Sequence, residues 1–135
     1  MRYLNTHLKE IEGFTPLELP ESVSSHSVHL YIARYEKEKF AELPKADFVD
    51  AMRQEGIPTS PGYSLPLYKQ PVFLNKSFGP RGTKVDLPID YSAVACPVTE
   101  RACYEEAIWF PQFVMLGTEK DMDDISEGRK TLEET

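Results

Sequence analysis

A chain of 135 residues, 41% apolar and 27% charged, is long enough for one buried core and short for two. Its 22 acidic and 15 basic residues leave a net charge of −7, which argues against nucleic acid or an anionic membrane as main partner, since both select clustered Lys and Arg. No apolar run approaches the roughly 20 residues of a membrane span, and residues 1–20 lack the apolar stretch of a secretory signal. Two cysteines are too few for a disulfide framework, so a cytoplasmic protein is expected.

Residues 1–12 read as a helix, with Leu4, Leu8 and Ile11 at helical spacing and Gly13 as its stop. The pattern already runs at Met1 with no cap before it, as in the end of a longer helix. Pro16 and Pro20 mark a connector. SVHLYIARY, residues 27–35, is the best strand. Alternation puts Val28, Leu30 and Ile32 on one face and His29, Tyr31 and Tyr35 on the other. Both faces are largely apolar, so both are expected to be covered, one of them by a partner domain.

Pro44 opens a second helix to about Glu55, with Phe48, Val49 and Met52 inward. Gly56 then stands where a left-handed C-terminal residue belongs, and Ile57 closes the accompanying apolar contact. SPGYSLPLYKQP, residues 60–71, is too broken for a helix or central strand, yet rich in aromatic side chain. A Gly/Pro-rich stretch follows, and residues 74–95 are expected to form one long loop. Pro97 starts a third helix through about Ala107. IWF is a short strand ended by Pro111, and FVMLG is a second apolar stretch. Thr118 and Asp121 pair as the cap of a last helix in which Met122, Ile125 and Leu132 share a face. The fold class expected is α/β in the α+β sense: one domain, 1–135, with a small, mostly antiparallel sheet packed by helices.

No constellation of residues completes an active site. His26 and His29 fall on opposite strand faces and cannot share a metal, and His7 lies on a polar helix face. Cys96 and Cys103 lack the further ligands of a zinc set and read as small buried hydrophobes. Glu105 and Glu106 are adjacent on a helix, so they do not face each other, and they read as a solvated surface. The acidic run Glu119, Asp121, Asp123, Asp124 suits a helix N-terminus without any ligand. There is no GxSxG, no phosphate loop and no GxGxxG after a strand. No residue is therefore assigned as catalytic or metal-binding.

ADFVDAMRQEGIPTSPGYSLPLYKQPVF and CPVTERACYEEAIWFPQFVMLGTEKDMDDISEGRKTL, taken together, resemble the C-terminal segment of the DegT/DnrJ/EryC1/StrS aminotransferases. The matching features are Glu55-Gly56-Ile57, the turn from Tyr63 to Tyr68, Pro97-Val98-Thr99-Glu100, Trp109-Phe110-Pro111 and the helix after Thr118. RYLNTHLKEIEG is similar to the end of the helix joining the family's two domains, which makes residues 1–13 that linker and 27–135 the small domain. The family is identified with pyridoxal phosphate enzymes acting on keto-sugars, often nucleotide-linked, or on keto-cyclitols.

The resemblance implies a much longer complete enzyme, with the large pyridoxal phosphate-binding domain preceding Met1. The Schiff-base lysine and the acid facing the pyridinium nitrogen belong to that domain, and none of the nine lysines here lies in a matching segment. The chain alone is therefore expected to bind no cofactor and to be inactive as a fragment, a truncated product or one half of a split enzyme. Tyr63, Tyr68 and Lys69 are the candidate substrate-binding residues, a wall where tyrosine stacks on a ring and lysine meets a phosphate. Tyr68 stands where the family has a histidine. The rival reading is a non-enzymatic binding module that derives from such a domain and works as a homodimer.

Overall fold

The computed structural model describes the backbone of residues 1–133 and the side chains of residues 1–127. Helix α1, Arg2–Lys9, buries Leu4 and Leu8, and Ile11 follows them into the core just past its end. The chain reverses at Gly13, whose φ of +81° brings its backbone against Lys39 and Phe40; a Cβ there would sit 2.4 Å from that of Lys39. Strand β1, Phe14–Pro16, comes next and was not anticipated, because Pro16 reads as a connector. A proline is tolerated at the end of an edge strand, and β1 is at the edge.

Strand β2, Leu30–Tyr35, is the centre of a three-stranded antiparallel sheet of order β1-β2-β3. Phe14 pairs with Tyr35 on one side, and Tyr31 with Phe110 on the other. The strand begins at Leu30 rather than Ser27, so His26 and His29 precede it and both are exposed. Val28 also departs from the expected alternation: its φ of 36° turns the chain and carries its side chain into the core. Nor are both faces covered within the chain. Tyr31, Ala33 and Tyr35 are buried, whereas Ile32 on the opposite face is 38% exposed.

Helix α2, Lys45–Gln54, places Phe48, Val49 and Met52 on the buried face. Its end is the expected one. Gly56, at φ +82°, donates its N–H to Arg53 O at 3.0 Å, and Ile57 N–H reaches Met52 O at 2.9 Å. Residues 74–95 carry more local order than their composition suggests. The short helix α3, Pro71–Leu74, leads into them, and the rings of Phe73, Phe78 and Tyr91 meet edge to face or tilted at 5.1–6.2 Å.

Helix α4, Pro97–Arg101, is shorter than expected and widens into a π-helical turn over Ala102–Glu106 before strand β3, Ala107–Pro111. FVMLG forms a 3₁₀ turn, Gln112–Leu116, in which only Val114 is buried while Phe113 and Leu116 face outward. Helix α5, Glu119–Glu133, starts on the expected pair: Asp121 Oδ2 accepts from Thr118 N–H at 2.5 Å, and Asp121 N–H donates back to Thr118 Oγ1. Met122 and Ile125 are buried as expected, and the Leu132 side chain lies outside the described residues.

The architecture is thus α+β, with α1, α2 and α5 on one face of the sheet. The core runs through Leu4, Leu8, Phe14, Tyr31, Tyr35, Phe48, Ile108 and Phe110. Buried hydroxyls keep their partners, as desolvation requires: Tyr31 donates to Asn5 at 2.7 Å and Tyr35 to Leu43 O at 2.8 Å. No helix among the described residues is long and apolar enough to cross a membrane. Cys96 and Cys103, expected to be buried, are both half-exposed free thiols. His7, expected in solvent, is half-buried; its ring lies 4.3 Å from that of Tyr3, with Nδ1 3.0 Å from Tyr3 O.

Candidate functional site

The segment from Ile57 to Pro71 crosses the end of the sheet, and its base is firmly attached. Thr59 Oγ1 donates to Val49 O, and Arg53 Nε to Thr59 O at 2.9 Å. Ser60 and Trp109 exchange two backbone hydrogen bonds of 2.8 Å, which adds one residue of ladder beyond β3. Gly62 then passes directly over the indole at φ +74°; a Cβ there would stand 2.7 Å from Trp109 Cε2 and Nε1. Only glycine meets both demands. Gly62→Ala is expected to cost about 1–2 kcal/mol for the left-handed backbone alone. It should also shift the fluorescence of Trp109, the one tryptophan of the chain. A spectrum and stability equal to wild type would show that the segment is free to move off the ring.

The three candidate residues divide into two places. Tyr63 packs its ring edge-on against Trp109, centroids 4.7 Å apart and 79° between planes, and is 67% exposed. No hydrogen bond to its hydroxyl is found among the described residues. Tyr68 and Lys69 instead converge on Glu100 of α4. The Tyr68 hydroxyl donates to Glu100 Oε1 and accepts from Cys96 N–H at 3.2 Å, and Lys69 Nζ lies 3.1 Å from Glu100 Oε2. Lys69 also sits over the rings of Tyr68 and Tyr104, 5.8 and 5.7 Å from their centroids. Both oxygens of Glu100 are thus engaged.

This cluster sets its own protonation. Hydrogen bonds from Tyr68 and then Lys69 hold the Glu100 carboxyl below the usual glutamate range. The bond to Glu100 raises Lys69, and burial followed by the Glu100 bond pushes Tyr68 up, so its phenol stays a neutral donor. A carboxyl depressed on folding contributes stability above its unfolded value, about 4.3, and loses it as pH falls through the lower folded value. The stability difference between wild type and Glu100→Gln, followed by chemical unfolding, is accordingly expected to be full near neutrality and to shrink below about pH 4.3. A difference independent of pH would remove the ionic contribution.

Two further residues shape this region, and neither is among the candidate site residues expected from the sequence. Trp109 forms one wall of the aromatic corner with Tyr63. Lys45, in the first turn of α2, is only 9% exposed; its Nζ donates to Pro61 O at 3.1 Å and to Cys103 O at 2.5 Å. Burial lowers its pKa from the ordinary lysine value. The signal was available, since positions 45, 48, 49 and 52 make one helical stripe whose other members are apolar. Among the described residues no group of three or more His, Cys, Asp or Glu side chains could hold a metal. Glu106, expected in solvent with Glu105, is half-buried and paired with Arg101 at 2.6 Å.

Comparison with known proteins adds to this geometry. The chain is 26% identical over 136 aligned positions to a Streptoalloteichus tenebrarius protein named "Putative L-glutamine:3-amino-2,3-dideoxy-scyllo-inosose aminotransferase", a match spanning 92% of this chain and 31% of that one. Its fold is similar to the crystal structure of 3-amino-5-hydroxybenzoic acid synthase, with a TM-score of 0.68 at 19% identity, covering 97% of this chain and 32% of the synthase. It therefore spans about a third of the length of either protein. The profile of the DegT/DnrJ/EryC1/StrS aminotransferase family matches residues 1–128, and the chain belongs to that family.

Proposed function

We propose that this chain is the C-terminal small domain of a pyridoxal phosphate-dependent aminotransferase acting on a keto-cyclitol or a nucleotide-linked keto-sugar. In that enzyme it forms the substrate-side wall. The observation that carries the reading is the uncovered sheet face. Ile32 is 38% exposed there and Leu30 and Trp109 are half-buried, on the side of the sheet away from α1, α2 and α5. A large domain laid over that face would enclose a pocket with an aromatic wall. The relative named for an amino-dideoxy-scyllo-inosose favours a cyclitol as substrate.

Within the wall the three candidates are unequal. Tyr63 keeps a ring face and a hydroxyl for a ligand. Tyr68 and Lys69 are committed to Glu100 and hold the wall in place. The described residues do not fit the cofactor itself. Lys45, their one buried lysine, is held by two backbone carbonyls with no carboxylate beside it. The chemistry of transamination therefore falls to a large domain, and no step of it is assigned to these residues. Two free thiols suit a reducing cytosol.

Mixing the chain with pyridoxal phosphate, an amino donor and keto-substrates is the direct test. Neither the visible absorbance of a lysine-bound cofactor nor turnover is expected. Co-expression with the large domain of a family member should restore both, and Tyr63→Ala should then raise KM more than it lowers kcat. Turnover by the chain alone would overturn the reading.

A further inference from the structure

Lys45 is placed where stability alone does not call for a charge. It shares the buried stripe of α2 with Phe48, Val49 and Met52. No carboxylate pairs with it among the described residues, and an unpaired ammonium is costly to bury. An apolar side chain of similar size would complete the stripe without that penalty. What the ammonium has and an apolar chain lacks is direction, since its N–H groups are committed to the carbonyls of Pro61 and Cys103.

Each of those carbonyls belongs to a peptide that leads into an aromatic side chain. The Pro61 carbonyl is one end of the Pro61–Gly62 peptide, and the Gly62 N–H at its other end donates to Ser60 Oγ at 3.2 Å. The plane of that peptide is thus held from both sides. Gly62 then carries the chain over the indole, and Tyr63 follows with its ring against Trp109. A planar peptide moves as a unit, so a rotation at Pro61–Gly62 displaces Tyr63 directly. Tyr63 is mostly exposed, and beyond the Trp109 contact its place depends on that backbone. The Cys103 carbonyl stands in the same relation to Tyr104, whose ring faces Lys69 Nζ.

We propose that Lys45 is a positioning residue for amino transfer: without touching substrate, its ammonium fixes the peptide from which Tyr63 meets the substrate ring. The proposal rests on the aminotransferase reading above and names, within it, what places the substrate-side tyrosine. The ring is then oriented before substrate arrives, so binding does not have to order it.

The test compares wild type, Lys45→Met, Tyr63→Ala and the double variant, each as the chain alone and co-expressed with the large domain of a family member. In the chain alone, nuclear Overhauser contacts between the Tyr63 and Trp109 rings are expected in wild type and lost in Lys45→Met. Those between Tyr35 and Phe48, 4.4 Å apart in the core, should persist in both. In the assembled enzyme Lys45→Met should raise KM by about fivefold and leave kcat within about twofold of wild type. A residue that acts through Tyr63 adds nothing once Tyr63 is gone, so the double variant should have the KM of Tyr63→Ala alone. If Lys45→Met does not fold, Lys45→Gln, one bond shorter and uncharged, is read in its place. Ring contacts unchanged without the ammonium, or KM effects that add in the double variant, would overturn the role of Lys45 and leave the aminotransferase reading standing. Absence of turnover by wild type with the large domain would overturn that reading, and this role with it.

Discussion

Phe48→Ala is expected to lower the stability of the chain by about 3–5 kcal/mol, the range for a large aromatic removed from a core that only partly collapses. Phe48 is fully buried on the inner stripe of α2. Its ring lies 4.4 Å from that of Tyr35, 5.2 Å from Phe40 and 6.2 Å from Phe14. These partners come from β1, β2 and the turn after β2, so one substitution loosens the attachment of α2 to the sheet. Against the roughly 5–15 kcal/mol of a typical domain, that loss is a large share of the total. Phe113→Ala serves as the control: Phe113 is 62% exposed, and its loss should stay within about 0.5 kcal/mol. Urea unfolding followed by circular dichroism checks both. Similar midpoints for the two variants would mean that the aromatic cluster is not the centre of the fold.

What could be read from the residues alone was what local chemistry determines. Helix α2 and its stop at Gly56 follow from a 3.6-residue stripe and two punctuating residues, and both are where the sequence puts them. The cap at Thr118 and Asp121 is of the same kind. Strand β1 is different. Three residues ending in proline carry no strand signal, and they become a strand only because Phe14 finds Tyr35 across the sheet. The inward turn of Val28 depends on a positive φ at a β-branched residue, which no alternation rule anticipates. The π-helical turn after Arg101 widens a helix that periodicity carries unbroken to Ala107.

The site was legible in the same uneven way. Composition marked 60–71 as an aromatic turn, and the family resemblance set Glu100 and the Tyr68 segment on the same page. Neither indicated that Glu100 closes on Tyr68 and Lys69, a contact spanning 32 positions for Tyr68. That contact also divides the turn into a fixed base and an exposed tip. Pro66 is fully buried beneath it, Tyr68 and Lys69 are tied down, and Tyr63 alone of the three candidates looks outward. Rigidity at the base and exposure at the tip are what a preorganised wall requires.

Lys45→Met is expected to have the largest effect on the position of that turn. The ammonium joins Pro61 of the aromatic turn to Cys103, inside the widened π-helical turn. Methionine keeps the length and removes every donor, leaving two carbonyls without their partner at a cost of about 1–3 kcal/mol. Removing a charge from a buried position works the other way and offsets part of that loss. Which term wins depends on pH. Burial lowers the folded pKa of Lys45, so between that value and the ordinary lysine value of about 10.4 the unfolded chain binds more protons than the folded one. Wild-type stability contributed by this group therefore rises as pH climbs through the window, while Lys45→Met is indifferent to it. Lys69, whose folded pKa is raised by Glu100, changes in the opposite sense, losing its contribution as pH rises through the folded value. The measurement is urea unfolding of both proteins from neutral to alkaline pH, with Trp109 emission reporting the turn locally. The gap between wild type and Lys45→Met should widen with pH, and the variant should show shifted emission and faster amide exchange at Gly62 and Tyr63 even where global stability is close. A constant gap with unchanged emission would mean that the turn is held by the Ser60–Trp109 pairing and the Glu100 contacts alone.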